Sequence, residues 1–385
     1  MKTEAMTWFD MEAPIFAFSH CPDVVAAVSL NGGLGTFGTS RIPVEQIERD
    51  LSWLATHCPD RPIGFDVVFP SNAPHEFERM SADDIAARIP NEHFEFTDDL
   101  LRANGLEPCT PEQRRALIET YVDDRLRTHA QSERRLELAF AQKNVKLIVS
   151  ALGVPPERQI ERAHGLGMKV ASLVGHPKHV KRQLDAGVDM LIAAGYEAGG
   201  HTGDIASMVL TPQIVDAAGA VPVLHAGGIA TGRQIVAALA LGAQAVWTGS
   251  IWLGTAESET TPVIKDLIFG ATSGDTVRTR ARSGKPVRHV RTGFVQAWEA
   301  DDAPRPLPTP LQGVLVEEVI QKGEKTQSAG LLSPPAGQAV GMMRGETSVR
   351  AVMYRLLSEF AETMEEMDGT FREVELGNDG SGGHG

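Results

Sequence analysis

Residues 221–250 read VPVLHAGGIATGRQIVAALALGAQAVWTGS. An apolar run at 221–225 ends at Gly227-Gly228, a helix-like segment follows at 232–241, and a second apolar run at 245–248 ends at Gly249-Ser250. Strand, glycine turn, helix and strand in succession imply a parallel sheet covered by helices. Upstream, further apolar runs lie at 14–18, 35–38, 62–68, 145–151, 169–174 and 189–193. Helical segments at 44–58, 157–166, 179–186 and 211–218 fall between most of them. Each is closed by a glycine or another breaker, as helix C-termini often are. Eight strands with short crossovers over 14–252 predict an α/β fold, a (βα)8 TIM barrel. A doubly wound open sheet is the alternative.

One crossover is long. Between Phe69 and Val145 the chain is rich in charge and helix formers, with amphipathic segments at 111–127 and 132–141. The spacing predicts a barrel from 1–69 and 145–300, with a helical subdomain, 70–144, inserted after strand 3. An insertion there sits at the C-terminal face, where barrels keep their active sites, so it is a candidate lid. A C-terminal extension, 301–376, is expected to pack on the barrel; its segment 347–367 reads as an amphipathic helix that would pack within the chain or between subunits of a homo-oligomer. Residues 377–385 are low in complexity and expected to be disordered.

The chain has 385 residues, 42% of them hydrophobic, enough for a sizeable core. A net charge of −14 argues against nucleic-acid binding, which needs a basic surface. Three cysteines, Cys21, Cys58 and Cys109, form neither a C-x-x-C pair nor a metal cluster, which suggests a reducing compartment. Neither a signal-peptide core nor an apolar run long enough to span a membrane is seen, so a cytoplasmic protein is expected, with no membrane partner.

The chemistry concentrates at 194–203, AGYEAGGHTG, directly after the sixth apolar run. Its glycines let backbone approach a ligand, and His201 can move a proton near neutral pH. At a barrel strand's C-terminal end this reads as a catalytic imidazole rather than a structural one. Glu197 would orient His201 or cap the following turn. His225, inside a predicted strand, reads as packed or hydrogen-bonded. The glycines after the seventh and eighth strands stand where barrels commonly hold a phosphate with backbone amides and a helix N-terminus. Gly33-Leu34-Gly35-Thr36-Phe37-Gly38 matches G-x-G-x-x-G, but it follows a helical stretch instead of a strand. It therefore reads as a turn into strand 2, not a dinucleotide fingerprint. No histidine–carboxylate set has metal-ligand spacing, so no metal is expected, and no G-x-S-x-G elbow occurs.

Taken together, GYEAGGHTG, PVLHAGGIATGRQIVAALALGAQAVWTGSIWLGTAES, AAVSLNGGLGTFG and SPPAGQAVGMM resemble the nitronate monooxygenases, formerly 2-nitropropane dioxygenases, and their flavin-reductase relatives. The resemblance implies a TIM barrel holding FMN. It implies a phosphate on Gly227, Gly228, Gly249 and Ser250, and a flavin ring near Phe18, Ser19, Asp66, Gly199 and Gly200. It makes His201 the catalytic histidine, which abstracts or manages the α-proton in the oxidation of an alkyl nitronate or similar carbanion-forming substrate, with O2 reoxidising the flavin. The chain departs from the family at Ala194, where glutamine is usual, and at Phe18-Ser19-His20, where Ala-Pro-Met is usual. It also has Asp66 where asparagine is usual, and an ionised aspartate only accepts hydrogen bonds. The other readings are an NAD(P)H-dependent flavin reductase acting on a quinone or enoyl-thioester, and a non-catalytic barrel that binds a phosphorylated ligand.

Overall fold

The strands, in a computed structural model that describes residues 2–70, 76–124, 126 and 128–379, are β1 (Ile15–Ser19), β2 (Leu34–Gly38), β3 (Ile63–Val68), β4 (Val145–Ala151), β5 (Lys169–Val174), β6 (Met190–Ala194), β7 (Gly200–His201), β8 (Val223–Ala226), β9 (Ala245–Thr248), β10 (Thr276–Thr279) and β11 (Val287–Val290). Eight of them close into a parallel barrel in the order β1-β2-β3-β4-β5-β6-β8-β9. The ring is completed where Phe16 of β1 stands beside Leu34 on one side and Trp247 on the other. This is the (βα)8 barrel that the alternation of apolar runs and helices predicts.

Strand alternation separates two cores. Phe16, Leu34, Leu147, Met190 and Trp247 fill the barrel interior, while Phe37, Phe65, Ile148 and Leu191 face the helix layer. A short helix, Glu4–Trp8, which the apolar periodicity does not reveal, adds Ala5 and Met6 to the interior cluster. It starts because the Thr3 hydroxyl accepts the Met6 amide at 3.3 Å, a standard N-cap.

Between β3 and β4 the chain forms helices Ala82–Ala86, Asn91–Ala103, Pro111–Asp124 and His129–Phe140. Ile85, Leu101 and Ile118 of this insertion share a core with Phe294, Val316 and Leu331 from beyond β11. A buried carboxylate joins the same parts: Glu318 accepts the Cys109 amide and pairs with Arg114 at 3.2 Å. The helix Leu311–Thr326 thus packs with the insertion. The final helix, Val349–Asp379, instead packs on the barrel, its Val352, Met353 and Leu356 clustering with Val24, Val28 and Ile235. That helix runs through 377–379, part of the segment expected to be disordered. A continuous apolar face anchors its start, and its backbone bonding carries it on past the predicted stop; positions 380–385 lie outside the described residues. None of the described helices is long and apolar enough to cross a membrane.

Candidate active site

The site is built at the C-terminal ends of the barrel strands. β6 ends at Ala194, and the chain turns at Gly195, where a Cβ would lie 2.5 Å from Ser207 Cβ and 2.6 Å from its amide nitrogen. The Glu197 carboxylate accepts the Ser207 amide at 3.1 and 3.2 Å, and also the Ser207 hydroxyl. Glu197 is therefore the cap of helix Ser207–Ala218 and holds the loop against it. That helix begins four residues before the sequence-based bound of 211. The cap that starts it lies ten residues upstream in sequence, beyond what the local pattern around 211 can indicate.

Gly200 and His201 form β7, the edge of a three-stranded sheet in the order β10-β11-β7, with His201 opposite Val287 and Gly200 opposite Arg288. The His201 Nε2 lies 3.0 Å from Ser283 Oγ, which comes from the turn between β10 and β11. A hydroxyl both donates and accepts, so this partner suits the imidazole in either protonation state. Ser283 and the hairpin 276–290 are absent from the sequence-based site. The signal was available, since VRTRARSGKPVRHV alternates β-branched and polar residues around a Gly-Lys-Pro turn.

After β8, Gly227 and Gly228 take φ of 122° and 73°, a backbone region closed to most side chains. Among the described residues, the amides of Gly227, Gly228 and Gly249 donate to no protein acceptor. All three positions are half-buried. The helix Gly232–Ala240 contributes less than its place suggests. Gln234 Oε1 accepts the Ala230 and Thr231 amides, and Glu359 from the last helix accepts the Gly232 amide at 2.7 Å. The first amides of that segment, from Ala230 to Gly232, are thus already taken. Ser250 Oγ accepts the Gly337 amide at 2.8 Å and keeps its own hydroxyl proton to donate.

Phe18 is half-buried on top of the barrel-interior cluster, 6.1 Å from the Trp247 ring. Ser19 Oγ accepts the Cys21 amide. Asp66 is buried, and since Phe65 and Val67 face outward, it points into the barrel. Gly199 is pressed against the strap 333–343: its Cβ would lie 2.8 Å from the Gly337 amide nitrogen. Phe18, Ser19, Asp66, Gly199, Gly200, His201, Gly227, Gly228, Gly249 and Ser250 therefore all stand at one end of the barrel, on or after β1, β3, β6, β8 and β9.

Two further histidines have structural roles. His225 faces the helix layer, its Nδ1 2.8 Å from Thr211 Oγ1, and burial lowers its pKa. His289 is fully buried against Ser333 Oγ. Burial, then the charges of Arg282 and Arg288, push its pKa from 6.5 down to about 3. The unfolded chain therefore takes this proton first as pH falls. The stability His289 contributes is present above pH 6.5 and is lost progressively towards about 3. His289→Gln should flatten that dependence, so its urea midpoint should drop less between pH 7 and pH 5 than that of the parent protein. Equal drops would remove His289 as the source.

A closed parallel barrel with unpaired amides after two adjacent strands, and an imidazole-bearing glycine loop after the strand before them, is the arrangement of an α/β-barrel enzyme with its site at the C-terminal strand ends. The sequence profile of the nitronate monooxygenase family matches residues 2–359, and the chain belongs to that family of flavin-dependent oxidoreductases. A Mycobacterium tuberculosis protein provisionally named a monooxygenase is 42% identical over 379 residues, covering 96% of this chain and 99% of that one. A provisionally named nitronate monooxygenase of Staphylococcus aureus is 26% identical over 344 residues, covering 84% and 89%. Among solved structures, a nitroalkane oxidase from Streptomyces ansochromogenes shares the fold at a TM-score of 0.78 and 24% identity, covering 95% of this chain and all of that one. FabK from Thermotoga maritima matches at 0.71 and 25% identity, covering 96% and 99%.

Proposed function

We propose that this chain is an FMN-dependent enzyme that oxidises an alkyl nitronate, or a similar small carbanion-forming substrate, with O2, and that His201 handles the proton. The observation that carries the reading is the meeting, at one barrel end, of the unpaired amides at Gly227, Gly228 and Gly249 with the His201 loop. FMN fits these residues. Strand-end amides and the Ser250 hydroxyl suit a phosphate dianion, and the half-buried Phe18 ring, with backbone free of side chains at Gly199 and Gly200, suits a planar ring.

Bound FMN would supply electron transfer from substrate to dioxygen. The protein's own work is positional and protonic. Glu197 fixes the loop through Ser207, the β7–β11 pairing sets the His201 backbone, and Ser283 holds the imidazole. A neutral nitroalkane must lose its α-proton to become a nitronate, and His201 is the base for that step. The second reading, an NAD(P)H-dependent reductase acting on a quinone or enoyl-thioester, is favoured by the large helical unit that follows β3, which would suit a bulkier substrate. Purified protein incubated with FMN and desalted should retain absorbance near roughly 370 and 450 nm, as a flavin cofactor requires. A protein that stays colourless contradicts both readings.

A further inference from the structure

The sheet β10-β11-β7 has two faces. His201 and Val287, directly opposite each other, share one. On the other, Arg278 and Arg288 are direct cross-strand partners, and Gly200 is next in the row. Like charges directly opposite each other destabilise an antiparallel pair. Here both guanidinium groups also lie against one ring, their Cζ atoms 5.4 and 4.5 Å from the Tyr196 centroid.

The charge on this face is poorly balanced. Asp204 pairs with Arg278 at 2.5 Å, but its side chain is 83% exposed, so the pair is weakened by solvent. Arg288 is 1% exposed and, among the described residues, has no carboxylate within ion-pair distance. Its Nε donates to the Tyr196 carbonyl at 3.1 Å and its Nη1 to Thr276 O and Oγ1 at 2.9 and 3.2 Å. Arg288 Nη2, Arg278 Nε and Thr202 Oγ1 are all buried without a partner. Burying a cation without a counter-charge is costly. A Cβ built on Gly200 would meet nothing within 4 Å, which leaves room beside Arg288 in the same row.

We propose that this face is an oxyanion site that takes a phosphoryl dianion, with the ligand displacing Asp204 from Arg278 Nη2 at the solvent side of the row and neutralising the charge of Arg288 buried behind it. Two guanidinium charges against one carboxylate leave an excess of one positive charge, and exchanging that carboxylate for a dianion balances the pair. The planar guanidinium fork matches phosphoryl oxygens in pairs. Asp204 is then an internal competitor. The site lies across the sheet from His201 and does not depend on the nitronate reading.

The source of the phosphoryl group is either a free phosphate or diphosphate, or the phosphate of a nucleotide co-substrate. The test is calorimetric titration of FMN-saturated protein with pyrophosphate at low salt, on the parent chain, Arg278→Met and Asp204→Asn. Arg278→Met should weaken binding at least about tenfold, the worth of a charge-assisted hydrogen bond. Asp204→Asn should tighten it, because the competitor is gone. Absence of saturable binding overturns the proposal. So does Arg278→Met binding as well as the parent, or Asp204→Asn failing to bind more tightly. NADPH binding more tightly than NADH, with the difference lost in Arg278→Met, assigns the site to a nucleotide. Pyrophosphate binding without that difference assigns it to the free anion. Failure of the nitronate reading would show in turnover and leave these titrations unchanged.

Discussion

His201→Ala should lower turnover of a neutral nitroalkane by about 10²–10⁴-fold, the range for losing a positioned general base, and should leave FMN affinity unchanged. The two halves of this expectation have separate structural grounds. The amides of Gly227, Gly228 and Gly249, assigned to the phosphate, lie after β8 and β9, whereas His201 lies on β7 and pairs with the hairpin strand β11. Removing an imidazole from β7 leaves those backbone donors untouched. The substrate supplies a second contrast. A preformed nitronate has already lost its α-proton, so His201→Ala should reduce its oxidation far less, by under about tenfold, if base catalysis is the main role of the residue. Steady-state rates on paired nitroalkane and nitronate substrates make the comparison. Equal losses on both would mean that His201 orients the substrate and does not take its proton.

Gly35→Ala destabilises the fold by about 3 kcal/mol, the upper end of ordinary overpacking costs. Helix Pro22–Leu30 lies so close on β2 that a Cβ at Gly35 would sit 2.1 Å from the Val25 carbonyl oxygen and 2.7 Å from its Cα. The obstruction is backbone, so no rotamer change relieves it, and the helix would have to lift away. Gly165→Ala is the control. Gly165 ends helix Glu157–Gly165, its Cβ would meet nothing within 4 Å, and its φ is not positive. It should be neutral or slightly stabilising, through lower entropy of the unfolded chain. Urea unfolding of both variants reads the difference; equal midpoints would show that β2 and its helix are not in this close contact.

Gly35 also explains why the G-x-G-x-x-G string misleads as a motif. Its central glycine serves helix–strand packing, and the run 34–38 is strand β2 itself. The barrel could be read from sequence because its strands are short apolar runs that end in turn residues, with helical segments between most of them. Those are local signals, and the eight barrel strands fall within two residues of the predicted ones, while β7, β10 and β11 have no predicted counterpart. The placement of the candidate residues at the strand ends was readable for the same reason. What escaped depends on contacts distant in sequence. Ser283 reaches His201 from 82 residues away. Gly337 and Gln338, known beforehand only as part of a family-like string, bond to Ser250 Oγ and the Glu197 carbonyl. Glu359 occupies the helix N-terminus at Gly232 that a phosphate was expected to share. In each case the local sequence describes the residue correctly and cannot indicate its partner.

The most direct test of the account is anaerobic mixing of FMN-loaded protein with ethyl nitronate, followed by the absorbance near roughly 450 nm that a flavin cofactor carries. The account predicts rapid loss of that band and its return when O2 is admitted. A spectrum that nitronate leaves unchanged, and that only NADH or NADPH bleaches, would contradict it.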